Sequence, residues 1–215
     1  MTELSLNEVE SLAAKVGRGS GFSWGLAEEI GRSARQLAQG GFPWADALLA
    51  LAEKAGAMQT PSPAQTKQWR ARQSEMGSTA SLCPIRTAVL LIDDPAILRA
   101  APLHLSNVGL PIWIAGVLAA SNAAGGLEVA WSTASALVDR QGVIPKAPGG
   151  AWLTPAADVK ISPGTAPQRR LRPLLRAPVA DVVLTALASH AARVYVPASE
   201  SSRAKGAGGG SVDEE

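Results

Sequence analysis

Cysteine is almost missing from this chain: Cys83 is the only one in 215 residues. A single thiol cannot close an internal disulfide, so a reducing, cytosolic compartment is the simplest setting. Histidine is nearly as scarce. His104 and His190 stand far apart, with no cysteine or carboxylate at ligand spacing beside either, so no metal site is expected. No long hydrophobic stretch exists. The most apolar run, Val108 to Ala120, is about 13 residues with a proline inside it, and a membrane span needs roughly 20. Met1 to Val9 is polar and acidic and lacks the basic-then-apolar order of a signal peptide. Excess charge of one sign is absent too: the formal net charge is +2 and the pI about 8.9, which is not a nucleic-acid footprint. No dinucleotide fingerprint, P-loop or Ser-His-Asp pattern can be read, so no cofactor is expected and the reaction, if there is one, is not written in a motif.

What is there suits a folded chain. Hydrophobic residues make up 47% and charged residues 18%, which argues for a buried core and against disorder. With 21 glycines and 15 prolines, many loops are expected, and no internal repeat is apparent. Texture divides the chain into a helical segment over 1–56, a linker or surface excursion over 57–82, a mixed core over 83–203 and a flexible tail over 204–215.

Ser5 and Glu8 have the spacing of a capping box, and Leu6, Val9, Leu12, Ala13 and Val16 follow at helical period. Gly17, Gly19 and Gly21 end that helix. Ser23 caps the next, whose stripe is Trp24, Ala27, Ile30, Ala34, Leu37 and Ala38. Gly40-Gly41 stop it, Pro43 begins a third helix, and Gly56 closes that one. Beyond Pro84, Ile85 with Val89 to Ile92 suggests a buried strand, and Asp93-Asp94-Pro95 a stop and a helix start. Val108 to Ala120 reads as a buried helix. Leu127 to Trp131 alternates like a half-buried strand, and Leu137-Val138 with Val143-Ile144 forms a hairpin around Arg140-Gln141-Gly142. Short strands are expected at Trp152-Leu153, Val159 to Ile161 and Val194 to Val196, and a helix opening at Pro178. Strands that cluster among loops favour an α+β fold: an N-terminal cluster of short helices packed with a small, mostly antiparallel sheet and two further helices.

Candidate chemistry gathers at the two ends. The stretch from Tyr195 to Gly210 joins the hydroxyls of Ser199 and Ser202 to Arg203, Lys205 and the glycines Gly206 and Gly208. Such a segment can wrap an anion, although glycine-rich ends beside acids are more often frayed tails. At the other end, Glu28 and Glu29 are adjacent carboxylates near Trp24 and Arg32. Neighbouring positions do not share a helix face, so helix-dipole complementation explains them as well as proton transfer does. Gly17 to Gly21 precedes a helix start, but a helix-hairpin turn accounts for it better than an anion loop. Arg169, Arg170, Arg172 and Arg176 form the only basic cluster, and no aromatic is interleaved for base stacking. Cys83 before Pro84 reads as a buried thiol rather than a nucleophile. Of the six tryptophans, Trp24, Trp44 and Trp113 fit core stripes, while Trp69 lies in a polar stretch and would mark a contact surface if exposed.

Two segments resemble a bacterial family of unknown function: Leu4 to Glu10 continuing to Ser23–Glu29 and Gly31-Arg32, and Tyr195 to Arg203 with Gly206 to Gly208. Cys83-Pro84-Ile85-Arg86 is similar to a junction in that family, and the likeness extends nearly end to end. The resemblance implies a bacterial, non-secreted protein and no particular reaction.

Three functional expectations follow. The first is a non-catalytic accessory protein that binds a partner subunit or a small anionic metabolite, with Arg32, Arg203, Lys205, Gly206 and Gly208 holding the anion and Trp24 and Tyr195 lining the pocket. The second is an enzyme acting on a small carboxylate, with Arg32 or Arg203 as anchor, Glu28 or Glu29 as base and Ser199 or Ser202 assisting. The third and weakest is nucleic-acid binding by the arginine cluster. The residues point to no membrane partner and to no oligomeric state.

Overall fold

The computed structural model describes residues 1–71, 80–99, 102–121, 126–139, 141–146, 151–165 and 172–195. Strand β1 (Thr2–Ser5) leads into α1 (Leu6–Gly19), α2 (Trp24–Gln39) and α3 (Trp44–Lys54). The capping box forms: the Glu8 amide donates to the Ser5 hydroxyl, and the Ser5 amide donates to the Glu8 carboxylate. Ser23 stands at the N-cap of α2, but its hydroxyl makes no capping bond.

The joints after α1 and α2 are built alike. Gly21 and Gly41 take positive φ values of 95° and 76°, one residue past each helix cap. Phe22 then donates to the Gly17 carbonyl and Gly21 to that of Arg18; Phe42 donates to Leu37 and Gly41 to Ala38. These are paired Schellman closures, in which a left-handed glycine lets two amides fold back on the last turn. Each is followed by a buried phenylalanine and, two residues on, a tryptophan. Gly21-Phe22-Ser23-Trp24 and Gly41-Phe42-Pro43-Trp44 are thus one short motif used twice, a local repeat where none was expected.

Helix α4 (Pro63–Ala71) falls in the stretch read as a linker or surface excursion. Its Trp69 is fully buried and part of the main core, so it marks no contact surface; one apolar ring in a polar helix is what anchors that helix. The strand expected after Cys83 is instead α5 (Pro84–Asp93), followed by α6 (Pro95–Arg99). Short apolar runs do not separate strand from helix by periodicity, and here Pro84 at the first helical position sets the backbone. Ile85, Ala88 and Leu91 are buried at helical spacing.

The apolar run 108–120 is shared between two elements. β2 (Leu103–Gly109) ends where Leu110 turns to a φ of 42°, and α7 (Ile112–Ala120) starts after Pro111. Residues Ile112 to Ala119 of α7 are all buried, as expected of a helix that is apolar all round. It lies between the sheet and helices α2 and α5. Gly116 permits the close approach, because a Cβ there would meet Leu37 Cγ and Ser33 at 3.2–3.3 Å.

The main sheet has order β2-β6-β3-β4-β5 and is antiparallel throughout, with β3 (Leu127–Trp131), β4 (Ala134–Asp139), β5 (Gly142–Pro145) and β6 (Ala156–Pro163). A second, two-stranded sheet pairs β1 with β7 (Arg176–Val179), Thr2 opposite Val179 and Ser5 opposite Arg176. Pro178 lies in β7, so α8 (Asp181–Ala192) begins three residues later than expected. Trp152-Leu153 is a turn rather than a strand, since the Trp152 ring packs on Phe42 and Trp131 instead of extending the sheet. Val194 and Tyr195 close α8 in a turn, with amides donating to Ala191 and Ala192, and not in a strand. The fold is α+β, with N-terminal helices against antiparallel sheets. Among the described residues no helix is long and apolar enough to cross a membrane.

Candidate functional site

The two ends of the described chain are tied together. β1 pairs with β7, the Met1 ammonium and Thr2 hydroxyl both donate to the Asp181 carboxylate, and α8 packs along α1. These donors hold Asp181 below the ordinary aspartate range, the Met1 bond contributing most. At the far end of both helices, Ser20 Oγ lies 3.3 Å from His190 Nδ1, and a Cβ on Gly19 would sit 1.9 Å from the His190 carbonyl oxygen. The described chain therefore ends beside the α1–α2 joint, where Trp24 and Tyr195 are each 63% exposed.

Trp24 does not join the core. It is the first residue of α2, placed where α1 has already ended, and the Arg18 guanidinium lies over its ring at 4.8 Å from the centroid. Ser199, Ser202, Arg203, Lys205, Gly206 and Gly208 lie outside the described residues, as do Arg169 and Arg170.

Glu28 is exposed and Glu29 only partly so. Arg32 donates to Glu29 at 2.5 Å, one turn away on the same helix. Arg35 is held by Asn7 and Glu10. A shallow hollow between α1 and α2 is lined by Asn7, Glu10, Ser11, Ala14, Glu28 and Arg32. An anion entering it would meet the carboxylates of Glu10 and Glu28, and the Arg32 charge is already shared with Glu29. In the basic cluster, Arg176 is committed to the Glu3 side chain and carbonyl, bracing β1 against β7.

A different cleft carries a better constellation. It measures about 430 Å³ and lies between the end of α2, strand β5 and the segment 172–174. Gln36, Gln39 and Gln141 line its walls, and Arg172 is the one charged residue of the lining among the described residues. The Gln36 Oε1 atom is buried and accepts no hydrogen bond among the described residues. A Cβ on Gly142 would stand 3.0 Å from that oxygen, so the two face each other closely.

The end of a helix normally repels anions, because its last four carbonyls carry partial negative charge. Here all four are satisfied: Gln36 by Gly40, Leu37 by Phe42, Ala38 by Gly41 and Gln39 by the Leu174 amide at 3.0 Å. The closure that ends α2 thus removes the open acceptors and leaves the Arg172 guanidinium to set the sign of the cleft. No carboxylate is paired with Arg172 among the described residues, and none lines the cleft.

Sequence reasoning passed over this site because each part had a sufficient local explanation. Gly40-Gly41 read as a helix stop, Arg140-Gln141-Gly142 as a hairpin turn and Arg172 as one member of a basic cluster. The usable signal was Gln36 and Gln39, two amides three apart on one face of α2 immediately before the stop.

Cys83 is buried at the N-cap of α5, where its amide donates to the Gln59 carbonyl. Burial pushes its thiol up from the ordinary range. His104 is exposed on β2.

No curated protein and no solved structure matches the chain. Residues 4–88, from β1 into α5, match the model of a family described as a protein of unknown function (DUF3726). That match takes in the first resembling segment and the Cys83–Arg86 junction, along with Gln36, Gln39 and the closure of α2, while Gln141 and Arg172 fall beyond it.

Proposed function

We propose that the protein is a non-catalytic binding protein for a small anionic metabolite, held in the cleft at the end of α2. One observation carries the reading: among the described residues, the cleft's lining combines an arginine with three glutamines and contains no carboxylate, histidine, serine, threonine or cysteine. Guanidinium and amide groups recognise oxygen-rich anions, whereas proton transfer or covalent attack needs one of the missing side chains. The proton-transfer candidates of the carboxylate-enzyme alternative, Glu28 and Glu29, lie on the first two turns of α2, the end opposite the cleft. A bacterial, cytosolic setting is part of the proposal, supported by the family resemblance and by the single, buried thiol.

Calorimetric titration of the full chain with acetate, butyrate and inorganic phosphate tests this. Saturable binding of at least one of these anions to the wild type, lost in Arg172→Ala, is expected. Ligand at about 100 times Kd should also add roughly 2.7 kcal/mol of stability to the wild type alone. Equal heats in both proteins, or none in either, would exclude the cleft as an anion site.

A further inference from the structure

A second hollow shares part of the cleft's wall. This groove of about 430 Å³ runs beside the cleft, lined by Phe42, Trp44, Trp152, Leu174 and Pro178, with Met1 and Asp46 at its edge supplying its charged groups. Gly41 and Leu174 line both spaces, so the two meet at that pair. The backbone at this junction is fixed. The Leu174 amide is anchored on Gln39, and Gly41 contributes no side chain, its absent Cβ lying 3.8 Å from Leu174 Cδ1.

The two spaces differ in chemistry. The cleft offers amides and one positive charge. The groove is walled by rings that brace one another: Phe42 and Trp152 meet edge-on at 4.9 Å, and Trp152 meets Trp131 at 5.7 Å. A braced aromatic wall is a preformed surface rather than a collapsed one. Leu174, at the junction, is 41% exposed, and the cleft also has an apolar side formed by Val143, Ile144, Pro145 and Pro173.

We propose that the ligand is a monocarboxylate with an apolar tail, its carboxylate against Arg172 and the cleft amides and its tail passing Leu174 into the aromatic groove. The proposal rests on the anion-binding reading of the cleft and adds the substrate class. One end of the site fits a charged, oxygen-rich head, the other carries the aromatic rings, and Gly41 adds no side chain where the two share a wall. Acetate would occupy the cleft alone, and longer chains would gain the groove.

Titration with acetate, butyrate, hexanoate and octanoate distinguishes the two layers of the reading. In the wild type, Kd should tighten by about fourfold per added methylene until the groove is filled. Ala180→Trp, which fills the groove at a position outside the cleft, should leave acetate binding intact and flatten the chain-length series. Arg172→Ala should weaken every member. Should the bulky variant not fold, 1-octanol added to the wild type gives the same information: it should compete with octanoate and leave acetate unaffected. Trp44 and Trp152 fluorescence should respond to octanoate and not to acetate. If acetate binds through Arg172 but chain length makes no difference, the tail subsite is wrong and the anion cleft stands. If no carboxylate binds, the monocarboxylate is wrong, and the anion cleft falls with it when inorganic phosphate fails to bind as well.

Discussion

Replacing Gly19 with alanine should unfold the protein more readily than any other exchange of glycine for alanine in its first two helices, and the reason is a single backbone atom. The added Cβ would sit 1.9 Å from the carbonyl oxygen of His190, more than an ångström short of the tightest contact real side chains make. That oxygen belongs to a helix backbone and cannot rotate away, so α8 must shift from α1 as a body. Helix propensity favours the exchange by about 1 kcal/mol, but overpacking costs roughly 1–3 kcal/mol and the shift opens the seam that buries Leu187 and Ala191. The net expectation is a loss of about 2 kcal/mol. With a urea slope of about 2 kcal/mol per molar, the unfolding midpoint should fall by about 1 M. Two further variants calibrate the reasoning. At Gly31 the Cβ would meet the Glu10 carbonyl at 2.8 Å, a milder clash between α1 and α2, and a loss of about 1 kcal/mol is expected. At Gly25, on the first turn of α2, nothing lies within 4 Å, and alanine should stabilise by about 0.5 kcal/mol. A midpoint for Gly19→Ala equal to or above that of Gly25→Ala would refute the account of how α8 is seated.

Acid stability should register the capping box. The Ser5 amide bond, followed by the Ser5 side chain, holds the Glu8 carboxyl below the ordinary glutamate range. A lowered native value stabilises the fold above the unfolded value and loses that effect as pH falls through the native one. Glu8→Gln keeps the hydrogen-bond geometry and removes the charge, so a stability gap seen by urea titration at pH 7 should close below about pH 4; a gap independent of pH would contradict the assignment. Cys83 should resist a thiol reagent such as Ellman's at pH 8 in the native state and label only as fast as the protein opens, because burial both raises its pKa and blocks access. Stoichiometric labelling within seconds would show that α5 does not cover it.

Much of the helical half was legible because each signal was local. A hydroxyl and a carboxylate three apart announced α1, and glycines announced both closures. The apolar stripe of α2 matches its buried face from Ala27 to Ala38. Trp24 broke the pattern because periodicity says which face a residue is on, not whether another helix extends far enough to cover it. α5 was misread because a ten-residue apolar run rich in branched side chains suits a strand as well as a helix until Pro84 is placed at its first turn. β1 went unnoticed because its partner β7 is more than 170 residues away, and four residues carry too little pattern to show a pairing. The cleft escaped for a related reason: its three contributors are separated by about a hundred and thirty residues, and each is innocuous alone.

The account stands on the cleft at the end of α2 receiving an anion. The most direct measurement is amide chemical-shift mapping of the full chain titrated with butyrate. Saturable changes should cluster at Gln36, Gln39 to Gly41, Gln141 to Val143 and Arg172, with the side-chain amide of Gln36 among the largest. Changes centred on Asn7, Glu28 and Arg32, or no saturable change at all, would contradict it.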